Sequence, residues 1–334
     1  TNGGGIRAEI KVGDVTKNDI FTVLPFGNTV DVIYVTGAQL LEVLEASTFC
    51  LPESIGGFPQ VSGISYTIST AVPYDANAET YPASTYYGPK TINRVSINSI
   101  NGKEFKADDT YAVVTNDFCS AGGDTYYAFK STAKADKVAT GVTLDQALMN
   151  YVKTELKGVI GKQYAEPQGR ILMNPFKDVK VSSWFGKYVI DLYNDGIING
   201  TSATTYAPND TLTWAAALKL LLVSHGDLKA ADATGADWSK NVIAKAAELG
   251  LVAADLDGTK AISRLEFCQV AAKLNKLAES KTESKFTDCT DGYVMALVDA
   301  KVINGMTETT FEPDASLTRA QIAKIIYQLN LIEK

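Results

Sequence analysis

GTSATTYAPNDTLT at 200–213 returns as GMTETTFEPDASLT at 305–318. Gly200 falls on Gly305, Tyr206 on Phe311, Pro208 on Pro313 and Thr213 on Thr318, all at one offset of 105 residues. Self-similarity at a fixed offset is the mark of a repeat architecture. A weaker middle copy puts Trp238, Gly250-Leu251-Val252 and Ile262-Ser263-Arg264 in the corresponding slots, so the unit is about 50 residues long and occurs three times. Two copies open on an aromatic residue with Asp two places on, Phe176 with Asp178 and Phe286 with Asp288. A first helix is predicted next, with Trp184, Tyr188 and Leu192 as its stripe in copy one, followed by a glycine-rich stop at 196–200, a loop and a second helix. The second helix starts at a capping box in two copies, Ser263 with Glu266 and Thr318 with Gln321; the hydroxyl and the longer side chain satisfy reciprocal amide donors. Copy one keeps Thr213 as the cap but has Ala216 where the box needs Glu or Gln. The stripe Ile322, Ile325, Ile326 and Leu329 is too large for one short partner helix to cover, and packing the three copies on one another buries it.

Before residue 176 the composition differs: 11 of the 16 tyrosines and 8 of the 10 prolines lie there. That part reads as mixed α and β. The β-branched run 29–34 predicts a strand, 37–47 a helix with Thr36 as its N-cap, and 61–68 another strand. Asn101-Gly102 between two alternating segments predicts a hairpin turn, followed by a buried strand at 111–115. Leu144, Leu148, Val152 and Leu156 recur every four residues after Thr143 and predict one face of a helix. A chain of 334 residues has room for two domains, or for one domain and a repeat array.

Composition excludes several classes of function. Lys and Arg number 31 against 38 Asp and Glu, a formal charge of −7 with the single histidine, His225, neutral. Non-specific nucleic-acid binding needs clustered cations, and the sequence has no such cluster. No apolar run approaches the roughly 18 residues of a transmembrane helix, and no charged-then-apolar leader opens the sequence. Cys50, Cys119, Cys268 and Cys289 are too sparse for a disulfide scaffold, although Cys268 and Cys289 are near enough in sequence to pair. With one histidine they exclude a zinc finger. Asp255, Asp257 and Glu266 imitate a calcium loop, but Lys260 stands where the sharp turn needs glycine, and the capping box accounts better for Glu266. Asp108 and Asp109 are the best carboxylate pair for chemistry within the chain, yet neighbours on a strand face opposite ways.

The repeats resemble S-layer homology domains, whose pattern is an aromatic-x-Asp opening, a Gly-x-x-x-Gly turn, a Phe-x-Pro loop and a Thr-Arg-Ala-Glu helix start. The resemblance implies an all-α, pseudo-threefold bundle of copies at 176–225, 226–280 and 285–334. It further implies a protein outside the cell, on the bacterial surface, holding a pyruvylated secondary cell-wall polymer or another envelope glycan between copies. The residues it implicates are Asp178, Gly200, Arg264, Asp288, Gly305 and Arg319. An arginine in a first helical turn, beside unpaired amides and the positive end of the helix dipole, makes a small anion site suited to a carboxylated sugar. The two aspartates read as acceptors for sugar hydroxyls or as structural caps. Taken singly, each arginine also reads as a solvated helix-start residue; the tandem copies favour binding. Copy one has Trp214 in place of the arginine and copy two lacks the Phe-x-Pro loop, so the grooves are expected to be unequal.

Residues 1–172 carry a second set of spaced motifs: Asn2-Gly3-Gly4-Gly5-Ile6-Arg7, Leu24-Pro25-Phe26-Gly27-Asn28, Gly56-Gly57-Phe58-Pro59, Asn116-Asp117-Phe118, Gly122-Gly123-Asp124 and Gly169-Arg170-Ile171. The glycine triplet alone reads equally as a linker. Together the motifs resemble the C-terminal domain of the 5'-nucleotidase family, an α/β fold. The resemblance implies that Phe26 and Phe118 sandwich a nucleobase, that Asn2 bonds the base edge, that Asp124 accepts from the ribose hydroxyls, and that Arg7 holds the phosphate. Gly122 and Gly123 would let the backbone approach the ligand. Cys119 stands where the family usually has Leu, and Thr125 where Gly is usual, which narrows the sugar side of the pocket.

Family members hydrolyse nucleoside phosphates at a two-metal centre on an N-terminal metallophosphoesterase domain. One histidine cannot furnish that centre, so the chain itself is expected to hold no cofactor, the two divalent ions belonging to a domain missing from it. The expectation is a piece of a wall-attached nucleotidase, inactive alone, that recognises a nucleoside or nucleoside 5'-monophosphate. The alternative is a structural envelope protein whose nucleotidase-like domain is degenerate and binds nothing.

Overall fold

Helix α1 (Lys17–Val23) leads into strand β1 (Thr29–Thr36), which buries Asp31, Ile33 and Val35 and exposes Tyr34, the two-residue period of a half-covered strand. Thr36 ends that strand and caps helix α2 (Gly37–Thr48) through a capping box with Gln39. Strands β2 (Ile64–Ser69), β3 (Val95–Ile100) and β4 (Thr110–Asn116) follow, then the single turns α3 (Asp117–Ser120) and α4 (Tyr127–Lys130). Strand β5 (Lys137–Thr143), helix α5 (Leu144–Thr154) and strand β6 (Ile171–Asn174) complete a unit of Thr1–Asn174. This computed structural model describes residues 1–73, 90–132, 136–165 and 167–332.

Two three-stranded sheets flank α2. One has the order β4-β1-β5, all antiparallel; the other has the order β3-β2-β6, with β2 and β6 parallel. Leu40 and Val43 of α2 join Ile33, Val35, Cys119, Tyr126 and Phe129 in one core, while Leu44 joins Tyr66, Ile68 and Val95 in the other. A helix buried on both sides carries few polar groups. Besides the buried hydroxyls of Ser47 and Thr48, α2 buries one carboxylate, Glu45, which is 2% exposed and accepts from the amides of Ile92, Arg94 and Val95 at 2.9–3.2 Å.

Two local expectations need correction. The turn at Asn101-Gly102 forms, with Ile100 and Lys103 exchanging amide bonds and both turn residues at positive φ. It does not make a hairpin, because β3 pairs with β2 and β4 with β1. Turn chemistry is local, whereas a strand's partner is chosen by which faces can be buried together. For the same reason β4 is not buried: it is an edge strand with Val114 66% exposed.

The second unit, Pro175–Lys334, is helical. Its helices come in pairs: α6 (Gly186–Asn194) with α7 (Trp214–His225), α8 (Trp238–Glu248) with α9 (Arg264–Leu274), and α10 (Gly292–Asp299) with α11 (Arg319–Ile332). The expected stripe of the first helix shifts, since Trp184 precedes α6 and is 58% exposed; Val189, Ile190 and Leu192 are the buried face. Both capping boxes form, and Thr213 caps α7 without a box.

Within this unit the pairs contact one another in a cycle. The second helix of each packs on the first helix of the next: α7 on α8, α9 on α10, α11 on α6. Backbone bonds repeat the cycle. Trp214 and Ala215 donate to the carbonyls of Lys260 and Gly258, Arg264 and Leu265 to those of Ala315 and Pro313, and Arg319 and Ala320 to those of Asp210 and Pro208. First-turn amides have no acceptor within their own helix, so each second helix has its start satisfied by its neighbour. Lys219 over Trp238, Lys273 over Tyr293 and Lys187 over Tyr327, at 4.8–5.4 Å, place a cation on an aromatic face at every junction. All four cysteines are free thiols, so Cys268 and Cys289 do not pair.

Candidate functional site

In the first unit, the opening glycines are part of the fold rather than a linker. The amides of Gly3 and Gly4 donate to the carbonyls of Phe58 and Gly56 at 2.8 and 2.7 Å, and Asn2 bridges to Pro59. This seats Asn2 at 5% exposure against Asp124, at 7%. Asn2 Nδ2 donates to Asp124 Oδ2 at 2.7 Å, and Asn2 Oδ1 accepts from Asn116 at 3.0 Å. Asn116 also caps α3 by accepting the Cys119 amide at 2.7 Å. The sequence-predicted Asn2 and Asp124 are thus brought together and bonded to each other. Cys119 lies beneath them; burial pushes its thiol up to about 11, so it stays protonated and unreactive at neutral pH.

Phe26 and Phe118 are held out to solvent, 60% and 40% exposed. Gly123 makes room for the second ring, which a Cβ at that position would overlap, and Gly122 turns the chain at φ +87°. Arg7 is exposed, its guanidinium 5.8 Å from the centre of the Phe26 ring. The segments bearing the rings are joined by Asn28 and Asp117, 2.7 Å apart. Asn28, Asn116 and Asp117 sit inside the sequence motifs, yet the sequence alone assigned them no role. The available signal was a polar side chain within two positions of each aromatic.

In the second unit, Asp178 accepts the amides of Tyr206 and Ala207, and Asp288 those of Phe311 and Glu312, at 2.7–2.9 Å. Both aspartates therefore pin the aromatic loops. These bonds hold the Asp288 carboxyl below its ordinary value. Arg319 reaches across to the carbonyls of Tyr206 and Asn199 and lies 4.5 Å over the Tyr206 ring. The Arg264 side chain donates only to the Asn304 carbonyl and lies 4.6 Å over the Phe311 ring; it is 7% exposed, and among the described residues its Nε has no partner. Gly200 and Gly305 have no space for a Cβ, being walled by backbone carbonyls and by the Phe176 and Phe286 rings. Trp214 occupies the equivalent place in the first pair, so one junction has no arginine clasp. Asp257 accepts from Thr259, and among the described residues no group of three His, Cys, Asp or Glu is arranged to hold a metal ion.

Residues 1–131 match the family described as 5'-nucleotidase, C-terminal domain. Residues 175–217 and 288–323 match the S-layer homology domain. Among curated proteins the chain is similar to the trifunctional nucleotide phosphoesterase protein YfkN of Bacillus subtilis (strain 168), 39% identical over 138 residues, which is 41% of this chain and 8% of that protein. It is also similar to the cell wall protein Lmo0130 of Listeria monocytogenes, 30% identical over 161 residues, 46% of this chain and 18% of that protein. The crystal structure of a 5'-nucleotidase precursor from Thermus thermophilus aligns with 52% of this chain and 30% of its own, at 34% identity and a TM-score of 0.42. The chain therefore spans a small part of the length of these relatives. The S-layer homology segments make it a cell-surface, cell-wall-associated protein. No helix among the described residues is long and apolar enough to cross a membrane.

Proposed function

We propose that this chain, carrying a 5'-nucleotidase C-terminal domain in its first unit and S-layer homology sequence in its second, recognises a nucleoside or nucleoside 5'-monophosphate and tethers that activity to the wall. The observation that carries the first half is the pair of exposed phenyl rings on joined segments. Two apolar rings kept in water are favourable surface for a flat heterocycle, and base stacking contributes about 1–3 kcal/mol per ring. Arg7 beside Phe26 offers a fork of donors to a phosphate. Hydrolysis we assign to a two-metal domain outside these 334 residues, since the single histidine cannot build one.

The second half holds that the three helix pairs act as S-layer homology modules in a pseudo-threefold bundle, binding secondary cell-wall polymer or another envelope glycan between them. The cyclic exchange of helix-start bonds supports it. The aspartates, glycines and arginines shape those grooves, and the arginines supply positive charge.

Titration of the full chain with adenosine and AMP tests the nucleoside site. Saturable binding is expected, weakened about tenfold or more by Phe118→Ala. The absence of binding to the native chain would favour the degenerate, structural alternative, for which the mutual bonding of Asn2 and Asp124 is the relevant observation. The tether is tested by co-sedimentation with sacculi: the chain is expected to pellet with walls that retain their polymer and to stay in solution with walls stripped of it. Equal pelleting with both refutes the polymer assignment.

A further inference from the structure

We propose that Asn28 and Asp117 form a brace that sets the spacing of the two phenyl rings and so decides whether the slot admits a base; this rests on the nucleoside reading above. Phe118 rides on α3, a single turn of four residues, too short to keep a direction by itself. Both ends of that turn are fastened to the stretch that leads out of Phe26. At the start, Asn28 Nδ2 donates to Asp117 Oδ1 at 2.7 Å. At the end, the Ser120 hydroxyl donates to Asp31 of β1, and the Lys137 ammonium donates to the Ser120 carbonyl.

Asn28 is itself fixed, because its carbonyl accepts the Leu144 amide at 2.9 Å. Among the described residues no backbone bond anchors Phe26, and the Arg7 guanidinium beside its ring is itself exposed; Phe26 stands before Gly27, which has positive φ, and is the more exposed ring. Its position relative to Phe118 is therefore set by the residue two places on. A hydrogen bond to a carboxylate is stronger and more directional than one between neutral groups, which suits it to this task. Asp31 is a further sign that α3 is held at a cost. It is 8% exposed and among the described residues its Oδ1 has no partner, an arrangement that core packing alone does not require.

Three variants of the full chain test the brace: Asp117→Ala, Asn28→Ala, and the exchange N28D with D117N, which reverses donor and acceptor across the same gap. Adenosine affinity is measured by calorimetry beside the thermal midpoint. Each alanine variant is expected to bind adenosine about tenfold more weakly, the loss of one correctly placed ring, with little change in midpoint. The exchange is expected to recover affinity to within about threefold of the native chain. Should Asp117→Ala fail to fold, Asn28→Ala carries the comparison. Native affinity in the alanine variants, or an exchange that binds no better than they do, overturns the brace alone. A native chain that does not bind adenosine overturns the nucleoside reading and the brace with it.

Discussion

Glu45→Ala is expected to destabilise the first unit by about 4 kcal/mol or more, since each buried amide left without an acceptor costs roughly 1–3 kcal/mol. Three amides, those of Ile92, Arg94 and Val95, would lose their acceptor at once. The Arg94 side chain would still hold the carbonyls of Val72 and Phe49, but without the carboxylate that sits beside it. In a unit of this size the thermal midpoint should fall by roughly 8–16 °C. Glu45→Gln keeps one acceptor oxygen and should lose less than half as much. A midpoint within about 2 °C of the native value for the alanine variant, roughly the effect of a surface change, would show the clamp to be dispensable.

The same residue gives the first unit a pH signature. Burial raises the Glu45 carboxyl above its ordinary value of 4.5, against the opposing pull of the three amides and of Arg94. The folded state therefore keeps the proton longer than the unfolded chain does. As pH rises from 4.5 through the raised value, the unfolded chain is favoured by its earlier ionisation, and stability from this group declines. Glu45→Gln removes the titration. The stability difference between native and variant, followed by denaturant unfolding from about pH 4 upward, should narrow as pH rises through the raised value and stay flat above it.

Gly305→Ala is expected to cost the second unit about 3 kcal/mol, at the upper end of overpacking effects. The added Cβ would meet the carbonyl oxygens of Thr307 and Thr310 and the Phe286 ring. None of these can swing aside as the tip of a flexible side chain does: two are backbone, and the ring is 3% exposed against Phe311. The cost is one of space, because Gly305 does not adopt positive φ. Gly200→Ala faces the equivalent walls, Ser202, Thr205 and Phe176, and should behave alike. A drop of roughly 6–12 °C in the midpoint of the second unit is the expected readout. Unchanged melting in both variants would mean the loops are looser than their geometry.

What the sequence made legible was what neighbours in the chain decide. Thr36, Ser263 and Thr318 announce helix starts because their partners lie three residues away, and all three cap as expected. The Asn101-Gly102 turn was legible for the same reason, and the partner of the strand beyond it was not, since that depended on β1, some 80 residues back. At the first site, both rings are exposed and a glycine lies beneath one of them, but nothing local reveals that Asn2 spends its amide on Asp124 or that Asn28 reaches Asp117. The arginines of the second unit show the same limit. A first-turn position predicts a helix-start cation; only the assembled unit shows it lying across the aromatic ring of another copy.

The head-to-tail order of the helix pairs has an evolutionary consequence. In an open array, a copy can be gained or lost at either end, and the rest survives with a new cap. Here each second helix borrows the acceptors for its first turn from a neighbour, and the last pair returns to the first. Deleting one pair would strip two junctions rather than one, and inserting a fourth would have to pry a junction apart. Such a closed order should tolerate a change within one pair, as with Trp214 in the place of an arginine, far better than a change in the number of pairs.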